Sequence, residues 1–314
     1  DAETDGMNAT TSYTYDDRFD KPVSVTDPMG RETQMTYDDQ ANLLSRQRPI
    51  GTTEYEYDDN GNLTRVRDPD GYERAMEYDA NGYVTRTYIP GSDPVIETTY
   101  TYDQRGNVLT KTDPNGNTTE YSYDSMDRLL SITYADGSSI SFSYDANGNM
   151  VSKTDPLGIE TVYEYDQYDQ LIRKIRATGT SNEQVTEYAY DSRGNLASVT
   201  DPQNNTTTYT YDESNRLKSA TTPLGQTVEF QNDPGGNRTG RTDPNGNTIS
   251  YSYDALNRLT QVTDAEGHVT SYTYDKAGNL ISIDDANNHT AASNTYDAND
   301  RLTRTEDALG YGKD

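Results

Sequence analysis

Short runs rich in Asp, Asn and Gly are the residues of this sequence best suited to hold a ligand. The runs Asp58-Asp59-Asn60-Gly61-Asn62 and Asp113-Pro114-Asn115-Gly116-Asn117 array oxygen atoms at alternate positions, as calcium loops do. Neither run has the further Gly and the bidentate Glu of an EF-hand. Because Asp, Asn, Pro and Gly are also the residues of tight turns, the runs predict plain turns, and weak calcium sites are the alternative.

Candidate catalytic groups are few. His268 and His289 are the two His residues of the 314-residue chain, and the chain contains no Cys. Each His lies just after a turn-like segment without a partner His, so structural or solvated roles are expected. Ser and Asp are abundant, but a nucleophile needs a base that a third group orients, and the sequence suggests no such trio. We expect no catalytic residue, no metal site and no cofactor, and therefore not an enzyme.

Tyrosine offers one further kind of chemistry, because the chain contains 28 Tyr residues. Tyr stripes flanked by Asp and Asn could form aromatic platforms that bind glycans. The alternative is a structural ladder in which each ring packs on its neighbours, burying area while its hydroxyl stays hydrogen-bonded or wet. Repetition of the rings along the whole chain favours the ladder, and glycan binding stays open.

The charge excludes one class of partner. The chain carries 53 acidic against 26 basic residues, with a net charge of −27, whereas nucleic-acid binding relies on clustered Lys and Arg. Hydrophobic residues make up only 31% of the chain, and no apolar run approaches the roughly 18 residues of a membrane span. Such a composition could indicate disorder, but disordered chains are poor in aromatic residues, so the 10% aromatic content favours an ordered fold.

The dipeptide Tyr-Asp recurs in phase along the chain, most often 21 residues apart, which is the signature of a repeat array. A decayed copy, Phe230-Gln231-Asn232-Asp233, lies midway in the one double-length gap, so the chain holds about fourteen copies. The intact dipeptides begin at Tyr15, Tyr37, Tyr57, Tyr78, Tyr102, Tyr123, Tyr144, Tyr165, Tyr190, Tyr211, Tyr253, Tyr274 and Tyr296.

Each copy predicts two strands and two turns. An aromatic residue two positions before the Tyr lies on the same strand face, since side chains alternate along a strand. The fourth residue after the Tyr is Gly, Asn or Asp in most copies, which predicts a left-handed backbone in a tight turn. Phe19 and Ala41 are the exceptions, and the 22-residue spacing from Tyr15 to Tyr37 suggests an inserted residue.

A second turn follows each apolar, Thr-rich strand. Segments such as Asp27-Pro28-Met29-Gly30 and Asp155-Pro156-Leu157-Gly158 match a type I turn, with Asp first, Pro second and Gly fourth. Two tight turns in each copy make neighbouring strands antiparallel, so the chain becomes a meander of about 28 strands. The longer copies place their extra residues at this second turn, in residues 89–94 and 176–184.

The consensus Tyr-x-Tyr-Asp-x-x-Gly-Asn-Leu followed by Asp-Pro-x-Gly resembles the RHS/YD-repeat family along nearly the whole chain, as in Tyr57-Asp58-Asp59-Asn60-Gly61-Asn62-Leu63. The resemblance implies a β-sheet that spirals into a hollow shell. Such shells enclose a toxic C-terminal domain in bacterial polymorphic toxins and insecticidal toxin complexes, and they occur in teneurins. Residues 307–314 match neither the self-cleaving core segment nor the effector of the toxin members, so no cleavage residue is transferred.

These observations predict an all-β fold: an antiparallel β-hairpin repeat array that forms a curved, coiled single-layer sheet, with residues 1–314 as one continuous array and a fragment of a longer protein. The function implied is a structural scaffold, part of the β-shell of a large secreted or cell-surface protein that encloses or displays a toxin. A self-assembling extracellular filament or a glycan-binding adhesin segment is the alternative. Expected partners are neighbouring repeats of the same or another copy through open sheet edges, an encapsulated polypeptide, or a glycan, with no nucleic acid and no membrane span.

Overall fold

A computed structural model describes residues 2–4, 10–287, 289–309 and 311–313. Every regular element within these residues is a β-strand. The strands are β1 Ala2–Thr4, β2 Thr10–Tyr15, β3 Pro22–Thr26, β4 Glu32–Tyr37, β5 Leu43–Arg48, β6 Gly51–Tyr57, β7 Leu63–Arg67, β8 Glu73–Tyr78, β9 Val84–Tyr88, β10 Glu97–Tyr102, β11 Val108–Thr112, β12 Thr118–Tyr123, β13 Leu129–Thr133, β14 Ser139–Tyr144, β15 Met150–Thr154, β16 Glu160–Tyr165, β17 Leu171–Arg176, β18 Gln184–Tyr190, β19 Leu196–Thr200, β20 Thr206–Tyr211, β21 Leu217–Thr221, β22 Thr227–Asn232, β23 Arg238–Thr242, β24 Thr248–Tyr253, β25 Leu259–Thr263, β26 Val269–Tyr274, β27 Leu280–Asp284, β28 Thr290–Tyr296, β29 Leu302–Asp307 and β30 Gly312–Lys313.

The chain divides into two units. Unit 1 comprises residues 1–73 and 228–314, and unit 2 comprises residues 74–227, so the divisions fall within β8 and β22. Within each unit, strands that follow one another in the chain pair antiparallel, as β12 does with β13 and β4 with β5. The predicted antiparallel hairpin array is thereby confirmed. The prediction of a single continuous array over residues 1–314 stays a prediction.

The strand register is set at the Tyr-Asp end of each hairpin. In the pair β12–β13, Tyr121 lies opposite Ile132 and Ser122 opposite Ser131, and the register then shifts before Tyr123 pairs with Leu129. The same shift precedes the in-phase Tyr in the pairs of β14, β16 and β18 with their successors. Such a bulge places an extra residue on one strand and increases the local twist.

Little of either unit is buried. Ala75, at 3% exposed, and Ile175, at 8%, are the buried hydrophobic side chains among the described residues. The in-phase Tyr and the aromatic residue before it are mostly half-buried, while the side chains between them, such as Ser122 in β12, are exposed. This thin core agrees with a single-layer sheet, because the strand contacts among the described residues join only strands that are neighbours in the chain.

The exposed face is held by short side-chain pairs across the hairpins. The hydroxyl oxygens of Ser122 and Ser131 lie 2.6 Å apart, and those of Ser143 and Ser152 also lie 2.6 Å apart. Cross-strand pairs of this kind contribute about 0.2 to 1 kcal/mol each. Repeated from hairpin to hairpin, they add to the backbone ladder as a source of stability. The described residues contain no helix long and apolar enough to cross a membrane.

Candidate functional site: the turns that join the repeats

The turn after each in-phase Tyr, called here the Tyr-Asp turn, closes on the Asp at its first position. In residues 58–62, the Asp58 nitrogen donates to the Asn62 carbonyl (2.9 Å) and the Gly61 nitrogen donates to the Asp58 carbonyl (3.0 Å). Oδ1 of Asp58 accepts from the backbone nitrogens of Asn60 (3.0 Å) and Asn62 (2.8 Å), and Oδ2 accepts from Nδ2 of Asn62 (2.9 Å). One carboxylate thus organises five consecutive residues.

The fourth position of the Tyr-Asp turn has a positive φ, as predicted, in every copy except the first. In these copies φ ranges from 59° at Asn257 to 98° at Gly148. Ala41, with φ of 66°, adopts the left-handed backbone despite its side chain. In the first copy Asp20, not Phe19, holds the left-handed position, and the turn closes from the Asp16 nitrogen to the Lys21 carbonyl (2.8 Å). The inserted residue inferred from the spacing is confirmed.

The second turn of each repeat, called here the Asp-Pro turn, has the same bonds. The Gly116 nitrogen donates to the Asp113 carbonyl (2.9 Å), which is the bond of the predicted type I turn. Oδ1 of Asp113 accepts from the nitrogens of Asn115 (2.8 Å) and Asn117 (2.9 Å), and Oδ2 accepts from Nδ2 of Asn117 (3.0 Å). The two turns therefore share one local design.

These bonds favour the ionised form of the turn carboxylates. Hydrogen bonds from the side chain and backbone of Asn62 lower the pKa of Asp58, and those of Asn117 lower the pKa of Asp113. Donors aimed at a carboxylate stabilise its charged form. The same direction holds at turns of both kinds, including Asp103, Asp145, Asp191, Asp201 and Asp243.

The Tyr-Asp turns also bond to one another from repeat to repeat. The Asn at the fifth position of one turn donates through Nδ2 to the side chain at the fourth position of the next Tyr-Asp turn, at 2.6 to 3.0 Å. We call these bonds the Asn bridges. They join Asn107 to Asp127, Asn149 to Asp169, Asn195 to Asn215, Asn237 to Asn257 and Asn279 to Asp300.

Arg at the fifth position joins repeats differently. Nε of Arg128 donates to Oδ2 of Asp124 (2.7 Å) within its own turn, and Nη1 donates to the Asp145 carbonyl (2.8 Å) of the next turn. The guanidinium carbon also lies 4.9 Å from the centre of the Tyr144 ring. Arg258 repeats the arrangement over Tyr274, with its guanidinium carbon 4.7 Å from the ring centre. Each such Arg adds a cation–π contact to the hydrogen bonds between repeats.

The in-phase Tyr contributes through its hydroxyl. It donates to the backbone carbonyl of the residue that opens the strand after the preceding Tyr-Asp turn, at 2.7 to 3.0 Å. The donors are Tyr37, Tyr102, Tyr144, Tyr165, Tyr190, Tyr211, Tyr253, Tyr274 and Tyr296. Among the described residues, rings stack between Tyr13 and Tyr15 and between Tyr83 and Tyr102. The expected Tyr ladder therefore consists largely of hydroxyl hydrogen bonds and only in these pairs of stacked rings.

Comparison with known proteins agrees with this repeat design. The teneurin YD-shell family model matches residues 91–239, and the RHS repeat model matches residues 57–92, 233–269 and 253–290. The chain belongs to the RHS/YD-repeat family. Among curated proteins, no sequence matches the chain at a significant level.

Solved structures show the fold of such repeats. A crystal structure of TcdB2-TccC3-Cdc42 matches with a TM-score of 0.74 and 16% identity over 95% of this chain. The Photorhabdus luminescens Tc holotoxin pore matches with a TM-score of 0.75 and 15% identity, also over 95% of this chain. The chain covers only 19% and 20% of those two proteins. The likeness therefore shows the fold of a segment one fifth their length.

The oxygen-rich runs are turns of the YD repeat, as predicted. In residues 58–62 and 113–117, both carboxylate oxygens of the first Asp accept hydrogen bonds inside the turn. A cation at Asp58 or Asp113 would compete with these donors. Weak calcium binding stays a prediction without a contact that favours it.

The two His residues occupy the fifth position of successive Asp-Pro turns. Nδ1 of His268 lies 2.9 Å from Oδ2 of Asp264, and Nδ1 of His289 lies 3.7 Å from Oδ2 of Asp285. His268, Asp264 and Glu266 place one ligand atom each within 4.8 Å of the others. His268 is 66% exposed and His289 is 75% exposed. The imidazole of His268 thus takes the place of the turn Asn, whereas Nδ1 of His289 lies beyond hydrogen-bond distance of Asp285.

The most exposed aromatic rings are not those of the repeated stripe. Tyr72, Tyr168 and Tyr311 are 73% to 76% exposed and lie outside the in-phase pattern. Tyr168 lines an open groove of about 520 Å³ with Gln170 and Arg193 of the next YD repeat. Sequence reasoning did not single out this groove, although the off-phase position of Tyr168 was a signal that could have found it.

Proposed function

We propose that this chain is a structural scaffold that forms part of the wall of a YD-repeat β-shell. The proposal rests on the hydrogen-bond partners of the chain's polar side chains. Turn carboxylates, the Asn bridges and Tyr hydroxyls bond to their own or a neighbouring repeat, which supports a role for these repeats in a wall. We propose no catalytic role for these repeats.

The shell would belong to a large secreted or cell-surface protein and would enclose or display another polypeptide. The similarity to Tc toxin structures supports this proposal, together with the small share of those proteins that the chain covers. Flanking repeats that pair with the open strand edges are the partners we propose first, since unpaired edge strands readily accept another strand.

Limited proteolysis of the intact protein that contains these repeats tests enclosure. We expect a protected internal polypeptide under native conditions. Its protection should be lost when the Asn bridges are removed together, for example by Asn107→Ala, Asn149→Ala and Asn195→Ala, and retained with Asn117→Ala and Asn205→Ala, which alter only Asp-Pro turns. Equal cleavage of that polypeptide in all these proteins would contradict the proposal. Long fibres of the isolated chain in electron microscopy would favour self-assembly instead.

Glycan binding is a second candidate, which the groove beside Tyr168 supports. An exposed aromatic ring next to the side chains of Gln170 and Arg193 offers an apolar platform with polar groups at its rim. We expect Tyr168→Ala to abolish any signal on a glycan array. Tyr72→Ala is the control, because Tyr72 is equally exposed but does not line this groove. Binding that survives Tyr168→Ala would exclude the groove.

A further inference from the structure

One ion pair joins parts of unit 1 that are distant in the sequence. Arg31 lies at the fifth position of an early Asp-Pro turn, and Asp300 lies at the fourth position of the last Tyr-Asp turn, 269 residues away. Nη1 of Arg31 donates to Oδ1 of Asp300 (2.7 Å), and Nη2 donates to Oδ2 (2.8 Å). The strand pairings described in unit 1 join strands that are neighbours in the chain, so this contact is of a different kind.

The turn of Arg31 prepares its guanidinium for that contact. Nε of Arg31 donates to Oδ2 of Asp27, and the backbone nitrogen of Arg31 donates to Oδ1 of Asp27 (3.0 Å). Asn117 uses its Nδ2 in the same way in a later Asp-Pro turn. Nη2 of Arg31 also lies against Oδ2 of Asp27, so the guanidinium joins Asp27 to Asp300 through Nε, Nη1 and Nη2. The Arg31 side chain is only 18% exposed.

The carboxylate of Asp300 is oriented by its own turn and by Asn279. Its φ of 61° is that of the left-handed turn position, and its Oδ1 accepts the Asn bridge from Asn279 (2.6 Å). A carboxylate oriented in this way presents two oxygens to the planar fork of a guanidinium, the geometry in which Arg binds carboxylates most strongly. The hydrogen bonds from Arg31 and then Asn279 lower the pKa of Asp300.

We infer that Arg31 and Asp300 form a latch that holds an early repeat of the chain against its last Tyr-Asp turn. The latch joins two segments of the same acidic chain and opposes their mutual repulsion. It can open without loss of either turn, because each turn has the complete carboxylate network of its own kind. The inference concerns the conformation of unit 1 and does not depend on what the shell encloses.

Two substitutions separate the latch from the turns. Arg31→Asn creates the Asp-Pro-x-Gly-Asn turn already present at residues 113–117 and 243–247, and Asp300→Asn creates the left-handed Asn already present at Asn215 and Asn257. Both variants keep the local bonds seen at those turns, but neither can form the bidentate ion pair. Arg128→Asn is the control, because it removes an Arg from a Tyr-Asp turn of unit 2 and leaves both latch residues unchanged.

The test is a distance measurement between two spin labels. Because the chain has no Cys, two introduced Cys residues are unique labelling sites. Met29→Cys and Ala298→Cys place them beside the latch, and the native Met29 is 50% exposed. We expect one narrow distance distribution in the parent and in Arg128→Asn. Arg31→Asn and Asp300→Asn should each add a longer-distance population, with an increase of about tenfold or more in the open fraction.

The double variant completes the test. If the two residues act on each other, Arg31→Asn with Asp300→Asn should open the chain no further than either single variant does. Unchanged distances in both single variants would overturn the latch. Opening by independent, additive amounts in the double variant would also overturn it, because the two side chains would then act on other partners.

Discussion

The Tyr-Asp turn of residues 103–107 and the Asp-Pro turn of residues 113–117 flank the same strand, β11, and close with the same bonds. They differ in the next contact. Asn107 donates a second hydrogen bond to Asp127 of the following repeat, at 2.6 Å, whereas the described bonds of Asn117 remain within its own turn. One edge of the hairpins is therefore bonded from repeat to repeat, and the other consists of turns that are self-contained apart from the turn of Arg31.

This difference explains where the chain tolerates extra residues. The connections between β9 and β10 and between β17 and β18 are longer than the other Asp-Pro turns, and both lie at the self-contained edge. Along the Tyr-Asp edge, the first copy alone has one inserted residue. An insertion at the bonded edge would displace a fifth-position Asn or Arg from the next turn, whereas a longer loop at the other edge costs little closure entropy.

Acid should produce the largest effect, because it acts on the design that both edges share. The folded-state pKa of Asp58 and of Asp113 lies below the ordinary value of 3.8. The ionised carboxylates therefore stabilise the fold above about pH 4, and this contribution is lost as the pH falls through the folded-state values. We expect the urea midpoint, followed by circular dichroism, to fall steeply between about pH 4 and pH 2. A constant midpoint over that range would show that the turn networks contribute nothing.

Insertions of three residues should distinguish the edges next most strongly. Gly-Ser-Gly placed between Asn147 and Gly148 disrupts a Tyr-Asp turn and the Asn bridge from Asn149 to Asp169. The same insert between Leu157 and Gly158 disrupts only an Asp-Pro turn. We expect losses of about 3 and about 1 kcal/mol in the free energy of unfolding, respectively. Urea denaturation measures both, and equal losses would remove the distinction between the edges.

A matched pair of Asn substitutions isolates one bridge. Asn117→Ala removes one side-chain bond to Asp113, and Asn107→Ala removes bonds to both Asp103 and Asp127. We expect losses of about 1 kcal/mol and about 2 to 3 kcal/mol in the free energy of unfolding. Asp127→Gly combined with Asn107→Ala should add little further loss, since Gly is native at this position in other copies. A larger loss in the free energy of unfolding for Asn117→Ala than for Asn107→Ala would contradict the proposed difference between the two edges.

The smallest expected effect is a gain in stability at Ala41. Its left-handed backbone, with φ of 66°, costs an L-residue roughly 1 kcal/mol that Gly avoids. Ala41→Gly should therefore raise the free energy of unfolding by up to about 1 kcal/mol. Thermal denaturation measures the gain, with Ala80→Gly in the next-but-one Tyr-Asp turn as a control at a position without a left-handed backbone. Destabilisation by Ala41→Gly would mean that the methyl group makes a useful contact.

The decayed copy shows how far the sequence could be interpreted by itself. Asn232 replaces the in-phase Tyr, but Asp233 still accepts from the nitrogen and Nδ2 of Asn237, and Asn237 still bridges to Asn257 at 2.8 Å. The Asp network of the turn is therefore retained where the Tyr ring is lost. The bridge itself was not predicted, because no single repeat contains both of its members.

The sequence by itself determined the alternation of strands and turns, the left-handed positions, the inserted residue near Asp20 and the place of the long connections. Each of these depends on a handful of consecutive residues, whose backbone preferences act locally. The tertiary structure alone decided that Tyr hydroxyls reach a carbonyl of the preceding repeat, that Asn107 bonds to Asp127 and that Arg31 meets Asp300. These contacts depend on strand register and on how segments about 20 or 269 residues apart come together, which local preferences do not specify.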